Sequence, residues 1–264
     1  MNTLTRAIAD GAVIAKVNII KIKRIPDLLV GTLISPIMFI LLFGYVFGAA
    51  IPLENYREFL IPGIFAQTVI FGATITGAGL ANDMQKGIID RFRSLPMAQS
   101  AVLIGRTAAD VITNVLVMII MSVTGLLIGW RIHTSFLEAA TGFLLLLLFA
   151  YAVSWVMALL GLLIRTPEAF NNLTFLTVFP VTFLTSAFVP TENFPAALKV
   201  ISDWNPVTAL VQAARESFGN VPPGTVLETW SLQHAELYTL IWIVGILAVF
   251  VPLAVKQYGR AAAR

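Results

Sequence analysis

Charged residues leave six long stretches of this chain empty. No Asp, Glu, Lys or Arg occurs at 28–53, 59–82, 111–130, 139–164, 169–191 or 237–255. Apolar positions run on within them, without the two-residue alternation of a half-buried strand. A helix rises 1.5 Å per residue, so about 20 residues cross the ~30 Å hydrocarbon core of a bilayer. Each stretch therefore predicts one spanning helix, at about 28–50, 59–82, 108–130, 139–164, 169–190 and 237–255. Lipid offers the backbone no hydrogen-bond partner, which favours helices over open strands. Pro36, Pro62 and Pro180 fall inside the predicted helices, where spanning helices tolerate proline if neighbours bond the freed carbonyls. Pro180 predicts a bend in the fifth helix, either a packing kink or a hinge.

Three segments outside these helices carry patterns of their own. In residues 1–27, Ile8, Ala12, Ala15, Ile19 and Ile22 recur at helical steps beside Lys16, Lys23 and Arg24. An amphipathic helix lying on an anionic leaflet fits this pattern, and so does a charged anchor that fixes topology. In residues 83–98, Asp83, Lys86, Asp90, Arg91 and Arg93 surround Ile88, Ile89, Phe92 and Leu95, and Pro96 follows. This is the pattern of a short amphipathic helix ended by proline, suited to docking into a groove on a soluble partner or to lying on lipid. Residues 191–236 are too long for an ordinary turn. They hold two apolar pieces, 194–201 and 207–218, separated by Asp203, Trp204, Asn205 and Pro206. Each piece is too short to span, as in re-entrant or interfacial helices. Asn205 or Thr208 is placed to cap the second, and Asp203, Arg215 and Glu216 must face water, protein or one another.

Composition agrees with a membrane protein. Hydrophobic residues make up 58% of the 264 and charged residues 12%, about half the charge of a soluble domain. Orientation follows from the cations. With the N-terminus inside, Arg6, Lys16, Lys21, Lys23, Arg24, Lys86, Arg91, Arg93, Arg106, Arg165, Lys256, Arg260 and Arg264 lie on the cytoplasmic side. Only Arg57, Arg131, Lys199 and Arg215 lie outside. Thirteen cations against four place both termini, including the tail 257–264, in the cytoplasm.

The chemistry of an enzyme is missing from this pattern. The chain has no cysteine, and its two histidines, His133 and His234, both fall in predicted outer segments. No facing aspartate pair is evident, and a transport protein or a structural or channel-like membrane protein remains. No Gly-x-x-x-x-Gly-Lys-Ser/Thr loop is present to cradle ATP. Carboxylates deep in the predicted helices, which ion-coupled carriers use, are also lacking. Asp110 stands at the predicted mouth of helix three, where it reads as a boundary residue within reach of Arg106 one turn earlier. No basic patch interleaved with aromatics points to nucleic acid.

Two runs resemble a known family. Residues 87–96, Gly-Ile-Ile-Asp-Arg-Phe-Arg-Ser-Leu-Pro, are similar to the coupling-helix stretch of type-2 ABC exporter permeases. Phe194-Pro195, Asn205-Pro206 and Arg215 look like that family's outer re-entrant hairpin, here 191–220. The chain resembles in particular the daunorubicin-resistance-like permeases of bacteria. Many relatives carry an acid just before the glycine, where this chain has Gln85 and Lys86, so Asp83 or Asp90 would stand in. The resemblance implies an all-α membrane protein of six transmembrane helices. To these it adds an N-terminal amphipathic interfacial helix, a cytoplasmic coupling helix and an outer re-entrant helical hairpin. It implies a bacterial cytoplasmic (inner) membrane location, a second permease copy or close relative, and two cytoplasmic ATPase subunits that bind ATP and Mg. Asp83, Gln85, Lys86, Gly87, Asp90, Arg91 and Arg93 would meet the ATPase.

Polar and aromatic residues of the second and fifth stretches suggest a pathway. Gln67, Thr74, Asn171, Asn172, Thr174, Thr177 and Phe179, with Phe65, Phe71, Phe170, Phe175 and Phe183, would give an apolar lining dotted with hydroxyls and amides. Such a lining suits hydrophobic or amphipathic drugs, antibiotics or lipids. The same polar residues also serve as interhelical glue. Export of such compounds is the first reading. A polysaccharide or lipid-linked glycan exporter is the second, and an ion-coupled carrier or channel the third.

Overall fold

A computed structural model describes residues 26–51, 55–88, 99–164 and 166–261. Residues 1–25, most of 83–98 and the last three residues lie outside the described residues, and with them the amphipathic pattern of the N-terminus. All regular structure among the described residues is helical. The first helix, α1, runs Pro26–Leu42, passes through a π-turn at Phe43–Phe47 and closes with a last turn at Gly48–Ala50. It is followed by α2 (Tyr56–Gln85), α3 (Gln99–Leu127), α4 (Phe136–Leu163) and α5 (Pro167–Phe183). A single 3-10 turn at Thr191–Asn193 leads to α6 (Ala196–Asp203), α7 (Pro206–Phe218), the short α8 (Trp230–Gln233) and α9 (Ala235–Ala261).

Four of these are long and apolar enough to cross a membrane: Tyr56–Gln85, Val102–Leu127, Phe136–Leu163 and Ala235–Arg260. Large apolar side chains stay exposed on them, Ile112, Ile119 and Val123 on α3 and Ile241 and Val244 on α9 among others. Exposed apolar bands of this kind belong against lipid rather than water.

Local chemistry sets the ends of the helices. Ser135 and Glu138 form a reciprocal capping box on α4, the Ser135 hydroxyl accepting from the Glu138 N–H at 3.3 Å and the Glu138 carboxylate accepting from the Ser135 N–H at 2.9 Å. Thr166 caps α5 by accepting from the Ala169 N–H, with Pro167 in the first turn. The charge-free stretch runs on to 191, yet α5 stops at Phe183. Beyond its end, the carbonyls of Leu184, Ser186, Ala187 and Phe188 accept from side chains on other segments, as described below.

Helix α4 is central and contacts α2, α3, α5, α7 and α9. Glycine lets it meet α2 closely: a Cβ on Gly161 would sit 2.3 Å from the Gly77 carbonyl oxygen. Small residues at such crossings let backbones approach, which is how helices pack without a hydrophobic driving force in lipid. One apolar cluster joins Phe65 of α2, Trp130, Phe143 of α4 and Phe218 of α7, with Trp130 and Phe218 edge-on at 5.5 Å. A second gathers Leu80, Leu103, Trp155, Ala158, Leu162, Ala254 and Tyr258 at the opposite end of the bundle.

Candidate coupling and pathway elements

The end of α2 prepares the turn expected to meet an ATPase. Lys86 donates its N–H to the Asn82 carbonyl at 3.0 Å and Gly87 to the Met84 carbonyl at 3.2 Å. Gly87 then takes φ +63°, the left-handed position that ends many helices and that favours glycine. Gln85 and Lys86 are exposed and Gly87 is half-buried. Asp83 is turned the other way: it is buried, and its carboxylate accepts from the Arg106 guanidinium of α3 at 2.9 Å. Arg106 therefore pairs across to α2, whereas its sequence neighbour Asp110 keeps one buried oxygen without a partner among the described residues. Asp90, Arg91 and Arg93 lie outside the described residues.

The pathway candidates divide into two sets. On α5, Phe170, Thr174, Val178 and Thr182 form one buried stripe at four-residue steps, facing α2 and α4. The rest of the helix is open. Asn171, Asn172, Thr177 and Phe179 are exposed, as are Phe175 and Leu176 at 59% and 71%. Thr174 and Gln67 belong to the buried set, each with a side-chain oxygen that finds no partner among the described residues. Thr74 is half-buried and donates to the Phe71 carbonyl at 2.7 Å, and Thr177 donates to the Leu173 carbonyl at 2.9 Å. Phe65 and Phe170, which the sequence offered for the lining, are fully buried core residues. Phe175, Phe179 and Phe183 instead continue a stack of rings that passes through Phe188 to Phe43 of α1.

At the other end α6 and α7 form a helical hairpin. Phe194 is half-buried and Pro195 exposed at its start. Asn205 makes the turn. Its side-chain oxygen accepts from the Val207 N–H at 2.9 Å, capping α7, and Pro206 opens the first turn. Its amide donates to the Val181 and Leu184 carbonyls at 2.7 and 3.1 Å, which satisfies the end of α5. α7 is buried along most of its length among α2, α4 and α9, while α6 exposes Leu198, Val200 and Ile201.

Arg215 fastens this hairpin in place. Its Nε donates to the Phe59 carbonyl at 2.9 Å, one terminal nitrogen to the Ser186 hydroxyl at 3.2 Å and the other to the Ser186 carbonyl at 2.6 Å. The guanidinium carbon lies 3.6 Å over the Phe59 ring, a cation–π arrangement. Tyr56 donates its hydroxyl to the Phe188 carbonyl at 2.9 Å. The bend after α5 is thus held by α2 and α7 together. Further bonds that no local sequence pattern announces close the same end. Trp130 donates to the Asn220 side chain at 2.7 Å, and Arg57 donates to the Ile128 carbonyl at 2.7 Å. Lys199 bonds Glu228, and that contact holds the lysine above, and the carboxyl below, its ordinary range.

Similarity to known proteins points in one direction. Residues 12–218 match the model of the ABC-2 type transporter family. The chain is 33% identical over 238 residues to the daunorubicin resistance ABC transporter permease protein DrrB1 of Streptomyces coeruleorubidus, covering 89% of this chain and 81% of that one. It is 30% identical over 116 residues to the doxorubicin resistance ABC transporter permease protein DrrB of Mycobacterium tuberculosis, covering 44% and 40% of the two chains.

Proposed function

The chain belongs to the ABC-2 type transporter family, and on that footing we propose that it exports hydrophobic or amphipathic compounds, of the drug, antibiotic or lipid class, as the membrane subunit of an ATP-driven pump. It is a transport subunit rather than a catalyst, and ATP and Mg belong to a separate cytoplasmic ATPase. In this reading α1 and α5 cross the bilayer beside the four long helices, giving six crossings with both termini in the cytoplasm of a bacterial cell. Residues 1–27 lie on the inner leaflet, 83–98 dock on the ATPase, and the hairpin 191–220 dips into the outer leaflet. Two ATPase copies serve two permease copies, either identical or closely related.

The observation that carries the reading is the family match over 12–218 together with the relationship to drug-resistance permeases. The open face of α5 supports a path there. Asn171, Asn172, Thr177 and Phe179 would line it where two copies meet, and Gln67, Thr74 and Thr174 would stand behind it. Gln85, Lys86, Gly87, Asp90, Arg91 and Arg93 would contact the ATPase, with Asp83 bracing the turn through Arg106.

Everted vesicles that hold the chain and its ATPase test this through ATP-dependent uptake of a fluorescent amphipathic dye. Arg91→Glu and Gly87→Pro are each expected to cut uptake about tenfold, or ~1.4 kcal/mol of coupling, at unchanged protein level. Uptake that persists without ATP and collapses with the proton gradient would instead establish an ion-coupled carrier.

A further inference from the structure

Helix α6 is inside out for a helix at a water surface. Leu198, Val200 and Ile201 are exposed, as is Trp204 just past its end. Its polar residues are turned inward. Ser202 and Asp203 are buried, the Ser202 hydroxyl lies 3.4 Å from the Thr208 hydroxyl, and the Asp203 carboxylate accepts from Thr191. Lys199 is half-buried and bonds Glu228. A surface helix in water has the opposite arrangement, with its apolar face in and its polar face out.

Four aromatic residues show where this face stands. Trp204, Trp230 and Trp242 are exposed, and their rings stand edge-on to Tyr238 at 6.1, 6.1 and 6.3 Å. The Tyr238 hydroxyl donates to the Trp204 carbonyl at 3.0 Å, and the Ser231 hydroxyl donates to the Asp203 carbonyl at 2.6 Å. The end of α6 is thereby tied to α8 and α9. Tyr238 stands at the start of the charge-free stretch 237–255, just after Glu236, and Trp242 lies one turn further on, ~6 Å along the helix. Three of the chain's five tryptophans thus gather where α9 leaves its charged end for the apolar span. Indole and phenol rings favour the boundary between headgroups and acyl chains, where the ring is in apolar surroundings and its N–H or O–H reaches water. Past them, Ile241 and Val244 continue the exposed apolar surface along α9. Large side chains make up this surface, whereas helices that meet closely in a membrane do so on small ones.

We propose that α6 lies along the boundary between headgroups and acyl chains of the outer leaflet, its exposed face covered by lipid, and that the cluster of Trp204, Trp230, Tyr238 and Trp242 sets its depth. This rests on the reading that the hairpin belongs to the outer side. It divides the hairpin into a lipid-facing arm, α6, and an arm enclosed by protein, α7.

The chain has no cysteine, so a nitroxide label can be carried on one introduced thiol at a time. Val200→Cys and Ile201→Cys are labelled in the full chain and reconstituted in phospholipid vesicles, with Glu192→Cys, at an exposed acidic position, as the reference in water. Spin resonance then compares collisions with oxygen, which concentrates in acyl chains, and with a water-soluble nickel chelate. The oxygen-to-nickel ratio at 200 and 201 is expected to exceed that at 192 about threefold or more. Trp204→Leu combined with Trp230→Leu removes N–H groups that hold the cluster at the boundary, and is expected to raise the ratio at 200 about twofold as the segment sinks. Ratios at 200 and 201 as low as at 192 would put the face in water. Exclusion of both reagents with spin–spin broadening would put a second copy on it. Either result overturns the proposal, and an unchanged ratio in the tryptophan variant overturns the depth-setting role of the cluster. An impermeant maleimide is expected to label Glu192→Cys in intact cells. Labelling only after permeabilisation would overturn the outer-leaflet assignment together with the orientation. Loss of export with these ratios intact would count against the export reading and not against this one.

Discussion

At single residues, Gly77 and Gly161 bring the backbones of α2 and α4 too close for a side chain. A Cβ on Gly77 would sit 2.2 Å from the Phe170 ring and 2.5 Å from the Met157 carbonyl oxygen, and one on Gly161 2.3 Å from the Gly77 carbonyl oxygen. Backbone carbonyls cannot swing aside as the end of a long side chain can, so the α2–α4 crossing must widen. Gly161→Ala is expected to cost about 1–3 kcal/mol, the usual range for overpacking. Gly245 of α9 offers a control, since nothing lies within 4 Å of a Cβ built there. Gly245→Ala is expected to be neutral or to stabilise by up to ~1 kcal/mol through helix propensity. Thermal unfolding of the purified variants in one detergent checks both. Equal losses at the two positions would mean that the crossing is looser than its geometry.

Among the elements, the hairpin depends on one side chain that serves two helices. Asn205 caps α7 and also closes the last carbonyls of α5. Loss of a cap costs about 1 kcal/mol, and each buried carbonyl left unbonded adds ~1–3 kcal/mol. Asn205→Asp retains the cap acceptor but not the two amide donations, so it is expected to recover only part of the loss caused by Asn205→Ala. Hydrogen exchange should show faster exchange over 206–218 and also at the end of α5 in Asn205→Ala. Exchange confined to the first turn of α7 would remove the link between the two helices. The apolar pieces 194–201 and 207–218 fall close to Ala196–Asp203 and Pro206–Phe218, and of the two cap candidates, Asn205 and Thr208, Asn205 caps the second helix. The early end of α5 was not legible. Arg215 and Tyr56, far off in sequence, take the carbonyls of Ser186 and Phe188, and an uncharged run of residues gives no hint of that. Nor does composition announce the π-turn at Phe43–Phe47. The long helices were legible because lipid excludes charge whatever the helix packs against. Which polar residue faces inward was not. Asp83 read as a docking residue from its neighbours, but its partner Arg106 lies on the next helix, beyond any local periodicity.

Across the whole molecule the two ends of the bundle are held differently. The hairpin end is tied by Arg215, Tyr56, Arg57, Trp130 and Asn205, which reach carbonyls and side chains on neighbouring segments. At the opposite end, the described contacts are mainly the apolar cluster around Trp155 and the Asp83–Arg106 pair. That pair bridges α2 and α3 just where the chain leaves for residues 86–98 and returns. A push on that segment would therefore move both helices as one piece. Removal of one partner from a buried pair costs about 3–5 kcal/mol, because the other charge is left behind. Asp83→Asn and Arg106→Gln are each expected to lower stability by that order, and the double variant by far less than their sum. Asp110 is the group that blurs this cycle, since it stands one turn from Arg106 with an unpartnered oxygen. Asp110→Asn leaves the Asp83–Arg106 contact whole and is expected to cost less than either single change. If the pair also transmits movement, Arg106→Gln should leave the partner ATPase hydrolysing ATP while transport falls, and the double variant should restore stability without restoring transport. Strict additivity of the two stability losses would show that the side chains do not sense each other, and the mechanical link between α2 and α3 would have to lie in the apolar contacts of Leu80 and Leu103 instead.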